Sequence, residues 1–301
     1  SPACPLGDDR RLVVAHRAVG RAAPAAAAAA KGAASEAKEE DAVAVGSVEI
    51  PSGACAVKVA DITDAGRFHL HLQSRAAELQ EVTEMMAEFG VAQGLNPGPA
   101  MVVRRGQKVA ALFDDGSGPQ WYRAVVLQVL GATDARVQYV DYGNTGRITT
   151  NKLAALELTY FAVPPCAIGA RLALLRMPAL DAEYGNDAAC YLNDMVWGRT
   201  LECVFHTKAV GEDVEVSLLE PQEASESKGA EKDDAKAPSS VAEEMVLAGL
   251  ATLKKTAAAD ARGLEEATDL LERMQTAQAE ARRERRGQWR FGDLPEDDDD
   301  A

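Results

Sequence analysis

What the sequence lacks sets the first limits. No apolar run approaches the about 20 residues that a helix needs to cross a bilayer, and no basic stretch followed by an apolar one opens the chain. The expectation is therefore a soluble, intracellular protein with no membrane partner. The five cysteines, Cys4, Cys55, Cys166, Cys190 and Cys203, are odd in number and include no C-x-x-C pair. That excludes a disulfide framework and the usual zinc spacing, and fits a reducing compartment. A positive charge balance is missing too: the formal charge of -15 argues against generic affinity for nucleic acid phosphates and makes a cationic partner, such as an Arg-rich peptide, the easier one. The 301 residues suffice for two domains of ordinary size, and a first residue Ser1 rather than Met leads us to expect a piece of something longer.

Taken in order, residues 1–20 have no clear period, although Leu12–Val14 fits the end of a preceding element; residues 21–46 are almost all Ala, Gly, Glu and Lys without an apolar stripe, and 1–46 read as a disordered linker. From Cys55 the pattern changes. Val57, Val59 and Ile62, then Phe68, Leu70 and Leu72, alternate on either side of Thr63–Gly66, which predicts a hairpin. Ser74 is placed to cap a helix carrying Leu79, Val82, Met86 and Phe89 at spacings of three and four, with Gly90 ending it. After Pro164 and Pro165, Ile168–Leu175 reads as a strand closed by Pro178. Asn186 can cap a helix with Ala189, Leu192 and Val196 on one side and Gly198 past its end; Leu201–Phe205 and Val214–Leu219 then make a second hairpin across Gly211–Asp213. Residues 221–240 have no period and read as a mobile loop. Glu243–Ala251 and a long amphipathic helix marked by Leu264, Ala267, Leu271, Met274 and Ala281 follow, and residues 294–301 read as a disordered acidic tail.

The middle of the chain is denser in signals. Val109–Phe113 and Trp121–Leu127 read as strands joined by Asp114–Pro119, which is rich in turn residues. In a third strand, alternation sends Val137, Tyr139 and Asp141 to one face and Gln138, Val140 and Tyr142 to the other, before Gly143 and Asn144 break it. Three short strands in succession suggest a small, highly bent barrel. Phe113, the Asp/Gly-rich turn, Trp121-Tyr122-Arg123-Ala124 and Tyr139-Val140-Asp141-Tyr142-Gly143-Asn144 together resemble the Tudor domain of the methylarginine-reading kind. The resemblance implies that four aromatics form a cage and an Asn fixes the guanidinium, and the matching residues are Phe113, Tyr122, Tyr139, Tyr142 and Asn144. Trp121 and Val125 fit the opposite, core-facing side, and Arg123 fits a structural pairing with an acid such as Asp141.

The flanks resemble a staphylococcal-nuclease-like fold, through Arg171–Leu175 with Pro178, Glu244–Ala251 and Ala279–Trp289. A Tudor barrel set between the second and third strands of such a fold is the extended Tudor arrangement of the Tudor staphylococcal nucleases, and Gly287–Asp293 is similar to the ending of that family. The expected architecture is mainly β with helices: a Tudor (SH3-like) five-stranded barrel over 101–163, inserted in a split staphylococcal-nuclease-like OB-fold, with a long C-terminal helix. Residues 47–100 would supply the first half of the OB domain plus a connecting helix, and 164–293 the second half.

Aromatics on short barrel strands are usually core, and the family resemblance is what turns these four toward a cage. A methylated guanidinium is a diffuse cation that sheds water cheaply, so π faces attract its charge and bury its methyls. The rival reading is a nuclease, in which Arg171 would stand as a phosphate clamp. The run after it should supply metal-binding and general-base side chains, yet reads Arg176-Met177-Pro178-Ala179, where only the Pro matches. Asp61 and Asp64 fit ordinary turn chemistry, and His69 with His71 a solvated strand face without further ligands nearby. A single-stranded RNA-binding surface is a third reading, because OB-type barrels bind single strands and Arg282–Arg286 cluster on a helix; complementing the helix dipole and nearby glutamates is the plainer account of those arginines. The expectation is thus a non-catalytic reader of symmetrically dimethylated arginine in Arg/Gly- or Arg/Ala-rich tails, monomeric, with no metal or cofactor. The resemblance implies Sm-type or Argonaute/PIWI-family partners, RNA-processing and silencing roles, and a cytoplasmic setting with the nucleus as a secondary one, and leaves nuclease activity to other parts of a longer parent.

Overall fold

The computed structural model describes residues 48–221 and 239–292, apart from residues 52, 97, 115, 117, 211, 212 and 262–266. The linker expected over 1–46, the mobile loop within 222–238, the acidic tail, Leu264 and the turn at Gly211–Glu212 lie outside the described residues.

The strands come first as a hairpin, β1 (Ala54–Asp64) and β2 (Arg67–Leu72), followed by helix α1 (Ala76–Gln93). Five strands follow: β3 (Lys108–Asp114), β4 (Pro119–Val129), β5 (Asp134–Tyr139), β6 (Thr145–Thr149) and β7 (Leu153–Ala155). Next come β8 (Ala167–Leu172), the two-residue β9 (Leu175–Arg176), α2 (Gly185–Val196), β10 (Thr200–Val210) and β11 (Asp213–Leu219). The chain ends in α3 (Val241–Leu247), β12 (Thr252–Leu253), α4 (Ala257–Ala261) and α5 (Ala267–Arg283). No helix among the described residues is long and apolar enough to cross a membrane.

The chain packs as two units, one holding Glu49–Ala76 with the described residues from Ala167 onward, the other Ala77–Cys166. In the first unit, β1-β10-β11-β8-β2 close into a barrel, with β8 parallel to β11 and the other pairings antiparallel. This is the ring order of an OB-type barrel, and strands from before and after the insert share its wall. Its interior is apolar because alternate residues point inward: Val57, Phe68, Leu70, Ala170, Leu201, Cys203, Val216 and Leu218 are each at most 1% exposed. At roughly 25 cal/mol per Å² of apolar surface, such burial dominates the stability of a barrel assembled from two distant stretches of chain.

In the second unit, β6-β5-β4-β3-β7 form one antiparallel sheet. All five strands send side chains into one core, among them Val109, Ala124, Val137, Ile148 and Leu153, so the sheet wraps round it as a small barrel does. The outer face of β3 and β4 is buried as well. Ala110, Leu112 and Trp121 meet Val82 and Met86 of α1 there, which is how a helix with one apolar stripe finds its place.

Several local expectations need correction. Gly90 does not end α1: it is buried within the helix, where an added Cβ would lie 3.3 Å from Trp121 Cδ1, and the helix runs to Gln93 before Gly94 turns out at φ 80°. Ser74 lies inside a 3-10 turn, Gln73–Arg75, that leads into α1. Helix α2 begins at Gly185 rather than being capped by Asn186; any Cβ at 185 would sit 1.8 Å from the Ala179 carbonyl oxygen, so only glycine allows that start. The strand expected over 168–175 is interrupted at Ala173 and Leu174, the latter at φ 64°, and resumes as β9 paired with β12. β5 stops at Tyr139 instead of running to Tyr142, because Tyr142 and Gly143 donate backbone hydrogen bonds back to the Tyr139 carbonyl (3.2 and 2.7 Å) and so close a turn.

Candidate functional site

Three neighbouring strands deliver the first three rings. Phe113 is the last residue but one of β3, Tyr122 lies on β4 and Tyr139 closes β5, all on the inner face. Their cross-strand partners are small: Ala111 stands opposite Tyr122, and Ala124 opposite Tyr139, which leaves room for rings to lean across. Asp114 Oδ1 accepts from the amides of Gly116 (2.9 Å) and Gly118 (3.2 Å), holding the hairpin loop next to Phe113.

The fourth ring arrives by the turn. Strict alternation would put Tyr139 and Tyr142 on opposite faces; the bonds from Tyr142 and Gly143 to the Tyr139 carbonyl bring them to the same side. Gly143 makes this possible at φ 87°, and the Tyr139 amide donates to the Asn144 carbonyl at 3.0 Å to finish the loop. The result is a network in which Tyr122 touches every other ring: Phe113 at 6.2 Å, Tyr139 at 6.0 Å and Tyr142 at 5.6 Å between centroids, near-perpendicular in each case. Phe113 and Tyr139 lie 5.1 Å apart. Tyr139 forms the floor, 3% exposed, whereas Phe113, Tyr122 and Tyr142 are half-buried. Burial, and secondarily the neighbouring Tyr122 phenol, push the Tyr139 hydroxyl above the ordinary tyrosine range, so it stays neutral at physiological pH. Asn144, 9% exposed, joins the cluster through its backbone, two residues after Tyr142.

Behind the turn, Arg123 and Asp141 pair as expected. Arg123 is wholly buried and meets Asp141 through Nε (2.9 Å to Oδ2) and through Nη2 to Oδ1. The other donors go to the carbonyls of Tyr160 (2.8 Å), Val163 (2.7 Å) and Pro164 (3.3 Å), so all five N–H groups of the guanidinium are used. Sequence patterning pointed to the ion pair but not to these carbonyls. They come from a segment about forty residues further on, whose lone signal is the adjacent aromatics Tyr160 and Phe161. Removing one member of such a pair strands the other in the interior, at a cost of about 3–5 kcal/mol. Trp121 and Val125 are buried as expected, and Trp121 Nε1 donates to the Gly94 carbonyl at 2.7 Å.

The groups in the first unit are spoken for by other means. Arg171 Nη2 bonds Asp213 Oδ2 at 2.7 Å, and Arg67 approaches the same carboxylate at 3.7 Å. Asp64 accepts from the Gly66 amide (2.7 Å), as a turn residue does, and Met177 packs against that glycine. Asp61 faces His69 Nδ1 at 3.7 Å and receives the Thr63 hydroxyl at 3.3 Å. Of the terminal arginines, Arg282 lies 4.8 Å over Trp289, and Arg286 bonds the Leu247 carbonyl (3.1 Å) and Glu280 (3.3 Å). Among the described residues no three His, Cys, Asp or Glu side chains stand together as a metal site would need.

Residues 50–174 match the Tudor domain family. Over 268 residues the chain is 29% identical to Staphylococcal nuclease domain-containing protein 1 of Drosophila melanogaster, a match that takes in 87% of this chain and 25% of that protein. The chain thus spans about a quarter of the length of such relatives. The extended Tudor domain of Drosophila melanogaster Tudor-SN (p100) is similar in structure, with a TM-score of 0.63 and 25% identity, covering 79% of this chain and 99% of that one. The human TDRD1 extended Tudor domain, solved in complex with a symmetrically dimethylated peptide, shares the fold at a TM-score of 0.56 and 22% identity, covering 69% of this chain and 94% of that one.

Proposed function

We propose that this chain, which contains an extended Tudor domain, is a non-catalytic reader of symmetrically dimethylated arginine in Arg/Gly- or Arg/Ala-rich protein tails. The observation that carries the reading is the four-ring network at one mouth of the sheet, three of its members half-buried and its deepest phenol held neutral. Neutral π faces at several angles suit a flat, methylated cation, and each desolvated contact contributes about 0.5–2 kcal/mol. In this reading Phe113, Tyr122, Tyr139 and Tyr142 are the walls and Asn144 bonds a remaining guanidinium N–H. The charge of -15 favours approach of Arg-rich tails. Tails of Sm-type and Argonaute/PIWI-family proteins are the partner class, and the longer protein acts in RNA processing and silencing.

Strand cleavage is not part of this function. Where a nuclease of this fold would need carboxylates to bind metal and activate water, the chain carries Met177 and Ala179, and Arg171 is engaged by Asp213. The reading is tested by calorimetric titration with Arg-Gly peptides carrying symmetric dimethylarginine, asymmetric dimethylarginine or unmodified arginine. Preference for the symmetric form is expected. Equal affinity for all three would end the reader reading, and single-stranded RNA cleavage lost on Arg171→Ala would overturn its non-catalytic half.

A further inference from the structure

Beside the rings lies a cavity of about 510 Å³, within the size range of ligand pockets. One wall comes from α1 and the turn after it, with Leu79, Met86, Val91 and Leu95; the other comes from β4 and the β5–β6 turn, with Trp121, Tyr122 and Tyr142. Two features mark it as a receptor for apolar surface. Its charged residues, Arg123 and Asp141, are bonded to each other, and the remaining donors of the guanidinium are taken by backbone carbonyls. At the rim, Val91 is 88% exposed and Leu95 47% exposed, so apolar side chains that line the cavity also face solvent. Gly90 keeps the space open, since a Cβ there would lie 3.3 Å from Trp121 Cδ1.

We propose that this cavity takes an apolar side chain of the same bound peptide, of leucine or methionine size, two residues from the methylarginine. The inference rests on the reader function proposed above and gives it a sequence preference. Tyr122 and Tyr142 belong to both the ring network and the cavity, and their centroids are 5.6 Å apart. Sharing these two residues, the two places adjoin, and side chains two residues apart in an extended peptide point the same way at a spacing of roughly 7 Å. A glycine-only flank would leave the cavity to water.

The test compares symmetrically dimethylated peptides whose flanks are all glycine with peptides carrying one leucine, or one aspartate, two residues before or after the modified arginine. Wild type is expected to bind one leucine peptide about fivefold or more tighter than the all-glycine peptide, and the aspartate peptide no better than glycine. Ala87→Trp, at an exposed helix position lining the cavity, should abolish that gain while all-glycine binding stays within about twofold. Val91→Asp, at the exposed rim, should reduce the gain and serves if the tryptophan variant melts early. Equal binding of glycine and leucine peptides, with methyl selectivity intact, overturns this inference alone, as does a leucine gain that survives both variants. Failure to bind any methylated peptide removes the reader function and this inference with it.

Discussion

The five-stranded sheet β6-β5-β4-β3-β7 carries two aromatic clusters, one on each face, and they start from adjacent residues of β4. Trp121 meets Phe89 at 5.7 Å on the outer face, and Phe89 meets Tyr160 at 5.7 Å; Tyr122 meets Phe113, Tyr139 and Tyr142 at 5.6–6.2 Å on the inner one. Both sets are near-perpendicular, and each has one buried ring, so spacing and angle do not separate a core from a binding surface. The surroundings do. Trp121 has its polar atom bonded to Gly94 and packs with Val82, Met86 and Leu112, whereas Tyr122 is half-buried with a ring on each of three sides. Aliphatic neighbours mark the outer cluster as core, whereas half-buried rings facing one another are the arrangement that the proposed reading requires of the inner one.

The comparison breaks most visibly on the outer face. Trp121→Ala should cost about 3–5 kcal/mol, chiefly through lost packing against Val82, Met86 and Leu112, read as a lower urea midpoint with an unchanged slope. An unchanged midpoint would mean that α1 does not depend on this cluster. On the inner face, Tyr139→Ala should weaken stability by about 2–4 kcal/mol and, on the proposed reading, methylarginine binding as well, because the deepest ring of the network is also core. Loss of binding with full stability would show that the two roles are separable at this position.

Tyr142→Ala sharpens the contrast. Its ring is half-buried on a turn held by backbone bonds, so binding should weaken about three- to thirtyfold while the melting temperature stays nearly unchanged. A folded Tyr142 variant that binds as wild type would place this ring outside the site. The smallest effect is expected from Asn144→Ala, about 1 kcal/mol or less, seen as reduced preference for methylarginine over methyllysine peptides rather than as lost attraction to cations. The raised Tyr139 pKa adds a pH test. Because its folded value lies above the unfolded value of 10.0, its contribution to stability is full below pH 10 and falls as pH rises beyond it. Thermal melts of wild type and Tyr139→Phe should therefore diverge only above that pH.

Residue order alone determined a good deal about this protein. Alternation placed the strands from Val57 to Leu72 and from Val109 to Val126, because a period of two is a local property of the chain. The four aromatics were legible in sequence, as was the pairing of Arg123 with Asp141, since an ion buried in a small barrel needs its counter-ion close by. What only the tertiary structure decided is where alternation stops. Tyr139 and Tyr142 share a face because two amides return to one carbonyl, a bond no periodicity encodes. Gly90 lies inside α1 with Trp121 of another strand close against it, Arg123 is satisfied by carbonyls about forty residues away, and the cavity beside Tyr142 exists because α1 lies along β4. In each case the deciding neighbour is distant in sequence, and the hydrogen bonds and close contacts that select it form only once the sheet has closed on its core.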